Sequence, residues 1–154
     1  MGEIDAMSRT KPIHVPPGGP GPLPQLSPEI YEAMGEDGVF AMLEAFYDEL
    51  GSSEIRHLFG DDLVAASKRS AAFYVQLLGG PPLYNTQYGN PMMRRRHFPF
   101  EIDESARKTW VACFFRVLER SDEFGFPAGH LDAFRAWIDG FSRWMVNVAP
   151  DQDH

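Results

Sequence analysis

His97 is the residue in this chain best placed to do chemistry. It follows Arg94, Arg95 and Arg96, precedes Phe98, Pro99 and Phe100, and closes an irregular, turn-rich stretch that begins at Gly79. A long irregular stretch inside a compact helical domain is uncommon and usually functional. Pro91 can open a short helix of about two turns, and Pro99 stops the chain soon after the histidine. An imidazole fixed in this way can hold an iron through one nitrogen. Its other ring nitrogen then donates to a backbone carbonyl in the preceding turn.

The neighbours of His97 extend this reading. Heme carries two carboxylates, and the guanidinium groups of Arg94 and Arg96 are suited to pair with them. Phe73 and Phe100 can pack on a flat macrocycle. The same residues also suit a structural histidine beside solvated arginines, and spacing does not choose between the two. Other site types have less support. Five scattered histidines and one cysteine do not give the three or four close ligands of a zinc site. There is no GxxxxGK phosphate loop and no dinucleotide fingerprint. Cys113 lies in WVACFF, where apolar neighbours argue for an inert buried thiol rather than a nucleophile.

The bulk properties narrow the partners. A net charge of −8 and a pI near 5.0 oppose nucleic-acid binding, which needs clustered Lys and Arg. Arg94–Arg96 is the only basic cluster. A single cysteine allows no internal disulfide, as expected for a cytoplasmic protein. No run approaches the ~18 apolar residues of a membrane span, and the N-terminus lacks a signal-peptide core. Aromatic residues make up 13% of the chain and all lie after residue 30. They either pack a large flat group or pack one another.

The elements that must position His97 are helices. Residues 1–26 contain VPPGGPGPLP, which cannot form a helix and buries little, so a flexible tail is expected. Residues 27–150 form one domain. Ser27-Pro28-Glu29 starts a short helix to about Ala33, which Gly35 and Gly38 break. A second helix, about Asp37 to Leu50, carries Phe46 and Tyr47 on a wide apolar face. Tyr47 is either a core residue or a hydroxyl aimed into a pocket. After a short turn ending at Phe59, Asp61 or Asp62 caps a helix to about Leu78. Its inward stripe is Leu63, Ala66, Ser70, Phe73 and Leu77. The small Ala66 and Ser70 leave room either for a close helix or for a cofactor. Asp103 caps the next helix, whose stripe includes Trp110, a core residue or a site residue. The last helix, about Ala128 to Val148, is the most clearly amphipathic.

Several segments together resemble the second group of truncated hemoglobins. They are FYDEL, FGDDL, LLGGP and RRRHFPFEID, with a Trp seven residues after Asp103, in order over about residues 29 to 148. The most specific is Arg94-Arg95-Arg96-His97-Phe98-Pro99-Phe100, which is similar to the family's Arg-x-Arg-His-x-Pro-Phe. The resemblance implies an all-α, globin-like two-over-two helical sandwich around heme b. It makes His97 the proximal iron ligand, and Tyr47 and Trp110 the distal hydrogen-bond donors. Phe59 becomes an aromatic heme contact, with Ala66 and Ser70 on the distal helix nearest the ligand. Arg94 and Arg96 become propionate partners, with Tyr84 beside them. Two positions depart from the pattern: Gly35 precedes Glu36 rather than a second glycine, and Phe59 lacks the hydroxyl that some relatives carry.

The function implied is binding of dioxygen and other diatomic gases at a five-coordinate iron. Nitric oxide dioxygenase or peroxidase-like activity would need electrons from a reductase partner, so the resemblance leaves enzyme status open. The expected state is a monomer or homodimer in the cytoplasm. The alternative is a heme-free globin-fold interaction or regulatory protein working through its acidic surface and tail.

Overall fold

The computed structural model describes residues 9–149. The first eight residues of the expected tail, and Pro150 as the stop of the last helix, lie outside that range. Six α-helices carry the described residues: α1 (Glu29–Gly51), α2 (Leu63–Leu77), α3 (Leu83–Tyr88), α4 (Met93–Arg96), α5 (Glu104–Leu118) and α6 (Leu131–Met145). Among the described residues there is no strand, so the all-α expectation holds. Helix α1 packs on α2 and α5, and α5 packs on α6. The result is two helix pairs laid one over the other.

Local chemistry accounts for most boundaries. Asp62 and Asp103 accept the backbone N–H of Ala65 and Ala106, at 3.0 and 2.8 Å, and so cap α2 and α5. Gly35, at φ 67° and ψ 176°, breaks α1 into a short and a long segment. Gly38 does not break it. This glycine lies where α1 meets the chain after α5, and a Cβ there would come within 2.6 Å of Phe124 O. Its absence permits the close approach. Helix α6 is shorter than expected. A 3-10 turn, Ala128–His130, precedes it, and after Met145 the backbone extends so that Asn147 and Val148 donate to Ile102 O.

The core is aromatic, with a ring from each long helix. Phe46 of α1, Phe114 of α5 and Phe134 of α6 are all essentially fully buried. Their rings contact in sequence at 4.2 and 5.7 Å, and Tyr74 of α2 meets Phe114 at 5.7 Å. Burial of such rings contributes several kcal/mol each and supplies much of the helix–helix adhesion. The buried Arg107 joins α5 to α6: it pairs with the more exposed carboxylates of Glu104 and Asp139 and donates to Ser142.

The Pro/Gly-rich segment forms no helix, as its composition requires, but it is not detached where it is described. Leu23 fills the space left by Gly140 on α6, where a Cβ would lie 2.6 Å from its Cδ2. Residues 9–14 are hydrogen-bonded to the chain around residues 98–101 and 147.

Tyr74 brings a cost to this core. Its hydroxyl is buried and, among the described residues, has no hydrogen-bond partner. An unpaired buried hydroxyl costs about 1–3 kcal/mol. Tyr74→Phe is therefore expected to raise the unfolding midpoint, by the equivalent of about 1 kcal/mol. A denaturant titration showing a loss of stability would contradict this.

Candidate functional site

Between the helix pairs lies a cavity of about 460 Å3. Its first wall comes from α1 and α2. Tyr47 is buried on α1, next to the core ring Phe46, because the two alternate around the helix's inner face. On α2 the residues expected to form an inward stripe, Ala66, Ser70 and Phe73, line the cavity. The core-facing residues are offset from them: Ala71, Tyr74 and Val75. The middle of the stripe is thus a cavity wall, while Leu63 and Leu77 at its ends pack against the core instead. Tyr47 Oη and Ser70 Oγ lie 2.6 Å apart in a hydrogen bond that either can donate. Burial raises the Tyr47 phenol above its ordinary range, against the opposing effects of the Ser70 bond and the Arg69 charge. It is therefore a neutral donor at neutral pH.

Phe59 stands edge-on to Tyr47 at 5.7 Å and lines the same wall. Trp110 reaches the cavity from α5, edge-on to Phe46 at 5.3 Å.

The facing wall is built by the turn after α4 and by Phe141 and Met145 of α6. His97 caps the C-terminus of α4 and lines the cavity. The expected bond from the second ring nitrogen is present: Nδ1 lies 2.5 Å from Met93 O. A carbonyl can only accept, so Nδ1 carries the proton and Nε2 keeps its lone pair. Burial lowers the imidazole's pKa, with the Met93 bond partly offsetting it, which keeps the ring neutral. A neutral imidazole with a free Nε2 is the form that binds a metal.

Helix α4 corrects two expectations. It is one turn, not two, because Met92 adopts a left-handed conformation at φ 35° and the helix starts only at Met93. Arg94 and Arg96 also cannot share one task. Two residues apart on a helix, their side chains leave it about 200° apart. Arg94 turns away from the cavity and donates to Trp144 O at 2.5 Å, Val146 O at 2.9 Å and His14 O at 2.6 Å. Arg96 lines the cavity, stacks on Tyr84 at 5.2 Å, and donates to Tyr88 O and Asn90 O at 2.9 and 2.7 Å. Tyr84 and Phe100 line the cavity as well.

All the expected site residues except Arg94 therefore surround one space. Reasoning on the sequence overlooked Arg69, an exposed arginine that also lines the cavity. Its signal was available: it directly precedes Ser70 and lies four residues before Phe73 on the same helix.

What this space can hold follows from its donors. Among the described residues no group of three or more His, Cys, Asp or Glu is close enough to hold a metal ion. A metal bound by His97 must therefore arrive with its other ligands. A flat tetrapyrrole does this, and aromatic walls, one free imidazole nitrogen and two arginines at the cavity suit it.

Comparison with known proteins decides the family. The sequence profile of the bacterial-like globins matches residues 29–147. This chain belongs to the bacterial-like globin family. The globin is 31% identical over 124 residues to the group 2 truncated hemoglobin YjbI of Bacillus subtilis (strain 168), covering 80% of this chain and 92% of that one. Among solved structures it is similar to phosphate-bound Hell's gate globin IV, with 37% identity and a TM-score of 0.77 over 83% of this globin and 80% of that chain. It is also similar to the group II truncated hemoglobin of Bacillus anthracis, with 27% identity and a TM-score of 0.72 over 85% and 96% of the two chains. The resemblance to group II truncated hemoglobins and the all-helical fold it implied are both borne out. Membership implies heme-based binding of a diatomic ligand. Among the described residues no helix of the globin is long and apolar enough to cross a membrane.

The Tyr47–Ser70 bond should be measurable without any ligand. In a double-mutant cycle on the apo-globin, Tyr47→Phe and Ser70→Ala are expected to be coupled by about 1 kcal/mol. Additive effects on unfolding would show that the two hydroxyls do not bond.

Proposed function

We propose that this globin binds heme b with His97 as the proximal ligand of a five-coordinate iron, and that it captures dioxygen and related diatomic gases on the side of Tyr47 and Trp110. The observation that carries the proposal is the His97 ring, whose Nδ1 is committed to Met93 O while its Nε2 is free beside the cavity. The heme iron supplies reversible attachment of a diatomic ligand.

The chain's own residues do the rest. The Met93 carbonyl fixes the orientation of the ring and makes its free nitrogen a better donor to the metal. Arg69 and Arg96 suit the propionates, since both reach the cavity and a guanidinium matches a carboxylate. Phe59, Phe73, Tyr84 and Phe100 flank the macrocycle, and the aromatic walls keep water out. On the distal side the Tyr47–Ser70 pair can reverse its direction. When Ser70 donates to Tyr47 Oη, the phenol proton is free to point at the ligand, and the two bonds polarise each other. The Trp110 indole N–H is a second donor. Ala66 adds no bulk and no polarity, which leaves room for the ligand.

Donors in a dry pocket favour dioxygen, whose bound form carries partial negative charge, over carbon monoxide. The reading extends to nitric oxide dioxygenation or peroxidase-like turnover, with a reductase as the electron donor. It places the globin in the cytoplasm as a monomer or homodimer.

Protein produced with heme available is expected to show a Soret band, which His97→Ala should abolish or displace. A folded, helical protein without that band would sink the proposal. Tyr47→Phe and Trp110→Phe should each speed dioxygen release about tenfold, the kinetic equivalent of one hydrogen bond of about 1.4 kcal/mol. Stopped-flow traces unchanged from wild type would remove these residues from the distal role.

A further inference from the structure

We propose that residues 9–14 form a strap that positions the His97 turn, with Arg9 of the strap and its partner Asn147 as the two positioning residues. The inference rests on His97 carrying the heme iron. The strap itself lies wholly before residue 29, where the match to the globin family begins, while Asn147 and Glu101, which it holds, lie within that match.

A single helical turn does not stabilise itself, because its few hydrogen bonds do not offset the backbone entropy lost in forming it. Helix α4 is such a turn, so its hold on His97 must come from outside. Asn147 supplies one half. Its side chain is completely buried. Nδ2 donates to His97 O at 3.1 Å, and Oδ1 accepts from Ile102 N at 2.9 Å. Its amide therefore bridges the histidine's own backbone to the chain just beyond the turn.

Arg9 supplies the other half. Its Nη1 lies 2.9 Å from Phe98 O, 3.1 Å from Phe100 O and 3.0 Å from Asn147 Oδ1. Its Nη2 donates to Asn147 O. One guanidinium thus gathers the carbonyls on both sides of Pro99 and joins them to the residue that holds His97. The strap is fixed at further points. Thr10 N and Lys11 N both donate to Glu101 Oε2, at 2.9 and 2.6 Å. His14 N donates to Asn147 O at 3.0 Å, and His14 O accepts from Arg94. Arg94 itself stacks on Trp144 at 4.3 Å. The arginine that faces away from the cavity is in this way part of the same assembly.

Two arginines with their charge spread over several carbonyls make strong, charge-assisted bonds in a partly buried place. None of these bonds touches the imidazole. They act on it through the His97 carbonyl and through the path of the chain from Phe98 to Glu101.

The test uses the full-length holoprotein with Arg9→Gln and, separately, Glu101→Ala, whose side chain is partly exposed and whose loss leaves the core intact. Arg120→Gln, in a surface ion pair with Glu123, is the control. Both strap variants are expected to shift or broaden the iron–histidine stretching band in resonance Raman spectra of the ferrous protein. Both should also speed heme transfer to excess apomyoglobin about tenfold, at the low end for groups that orient a metal ligand. In the apo-protein, amide exchange at residues 97–102 should quicken. The control should change none of these. An unchanged iron–histidine band in both variants overturns the positioning role, even if exchange quickens. Unchanged exchange in the apo-protein overturns the strap itself. A wild-type protein without a Soret band would sink the heme reading instead, and the exchange measurement would still decide whether the strap exists.

Discussion

The bond between His97 Nδ1 and Met93 O decides which nitrogen of the ring is available, and most of the site depends on that choice. With the proton on Nδ1, the neutral ring presents a lone pair at Nε2. With the opposite tautomer it would present a donor, and His97 could not bind a metal from that wall. The bond is short and local, spanning one turn of chain. It works only if the turn keeps its shape, so the demand passes outward to the groups that hold the turn. Those groups are polar and largely backbone-directed. Carbonyls at the end of a helical turn are unsatisfied until something donates to them, and here arginines and an asparagine do so.

The aromatic residues are divided between two tasks, and the division follows from helix geometry. On α1 the neighbouring Phe46 and Tyr47 are offset by about 100°. Phe46 enters the core and Tyr47 sits where the core gives way to the cavity. On α2 the same step separates the buried Tyr74, which borders the cavity from the core, from the half-buried Phe73 on its wall. The core cluster is closed by rings from four helices, so the cavity can stay open without the helices collapsing into it. Small residues complete the arrangement. Ala66 on the wall and Ala71 towards the core let α2 lie close to its neighbours while leaving room on its other side.

Features with a local cause were legible in the sequence. Asp62 and Asp103 are caps because a carboxylate three residues before an amide can close a helix start, and both act so. The ring of site residues was legible through motif order, and the structure brings Tyr47, Phe59, Ser70, His97 and Trp110 around one cavity. The features that escaped have distant or geometric causes. Arg94 and Arg96 look alike in a run of three, and only the direction in which each leaves α4 separates them. The left-handed Met92 shortens that helix, and no residue type announces it, since methionine rarely adopts such a conformation. The docking of residues 9–14 was hidden because the partners of Arg9 are mostly main-chain carbonyls. Every residue offers one, so no pattern of side chains marks the place.

The distal pair makes the contrast with the proximal side instructive. On the proximal side each polar group has a fixed direction, since carbonyls only accept and guanidinium groups only donate. The direction of every bond is set by covalent structure. Tyr47 and Ser70 are both hydroxyls, and each can donate or accept. Their 2.6 Å bond satisfies both in the absence of a ligand and can reverse when a ligand needs a donor, with little movement of heavy atoms. A Ser70→Ala change would remove that option. The phenol would lose its resting partner and would have nothing to donate to it while it donates outward. In the proposed function, the wall of fixed direction would hold the metal and the reversible pair would face its ligand, so that attachment of the one does not hinder adjustment to the other.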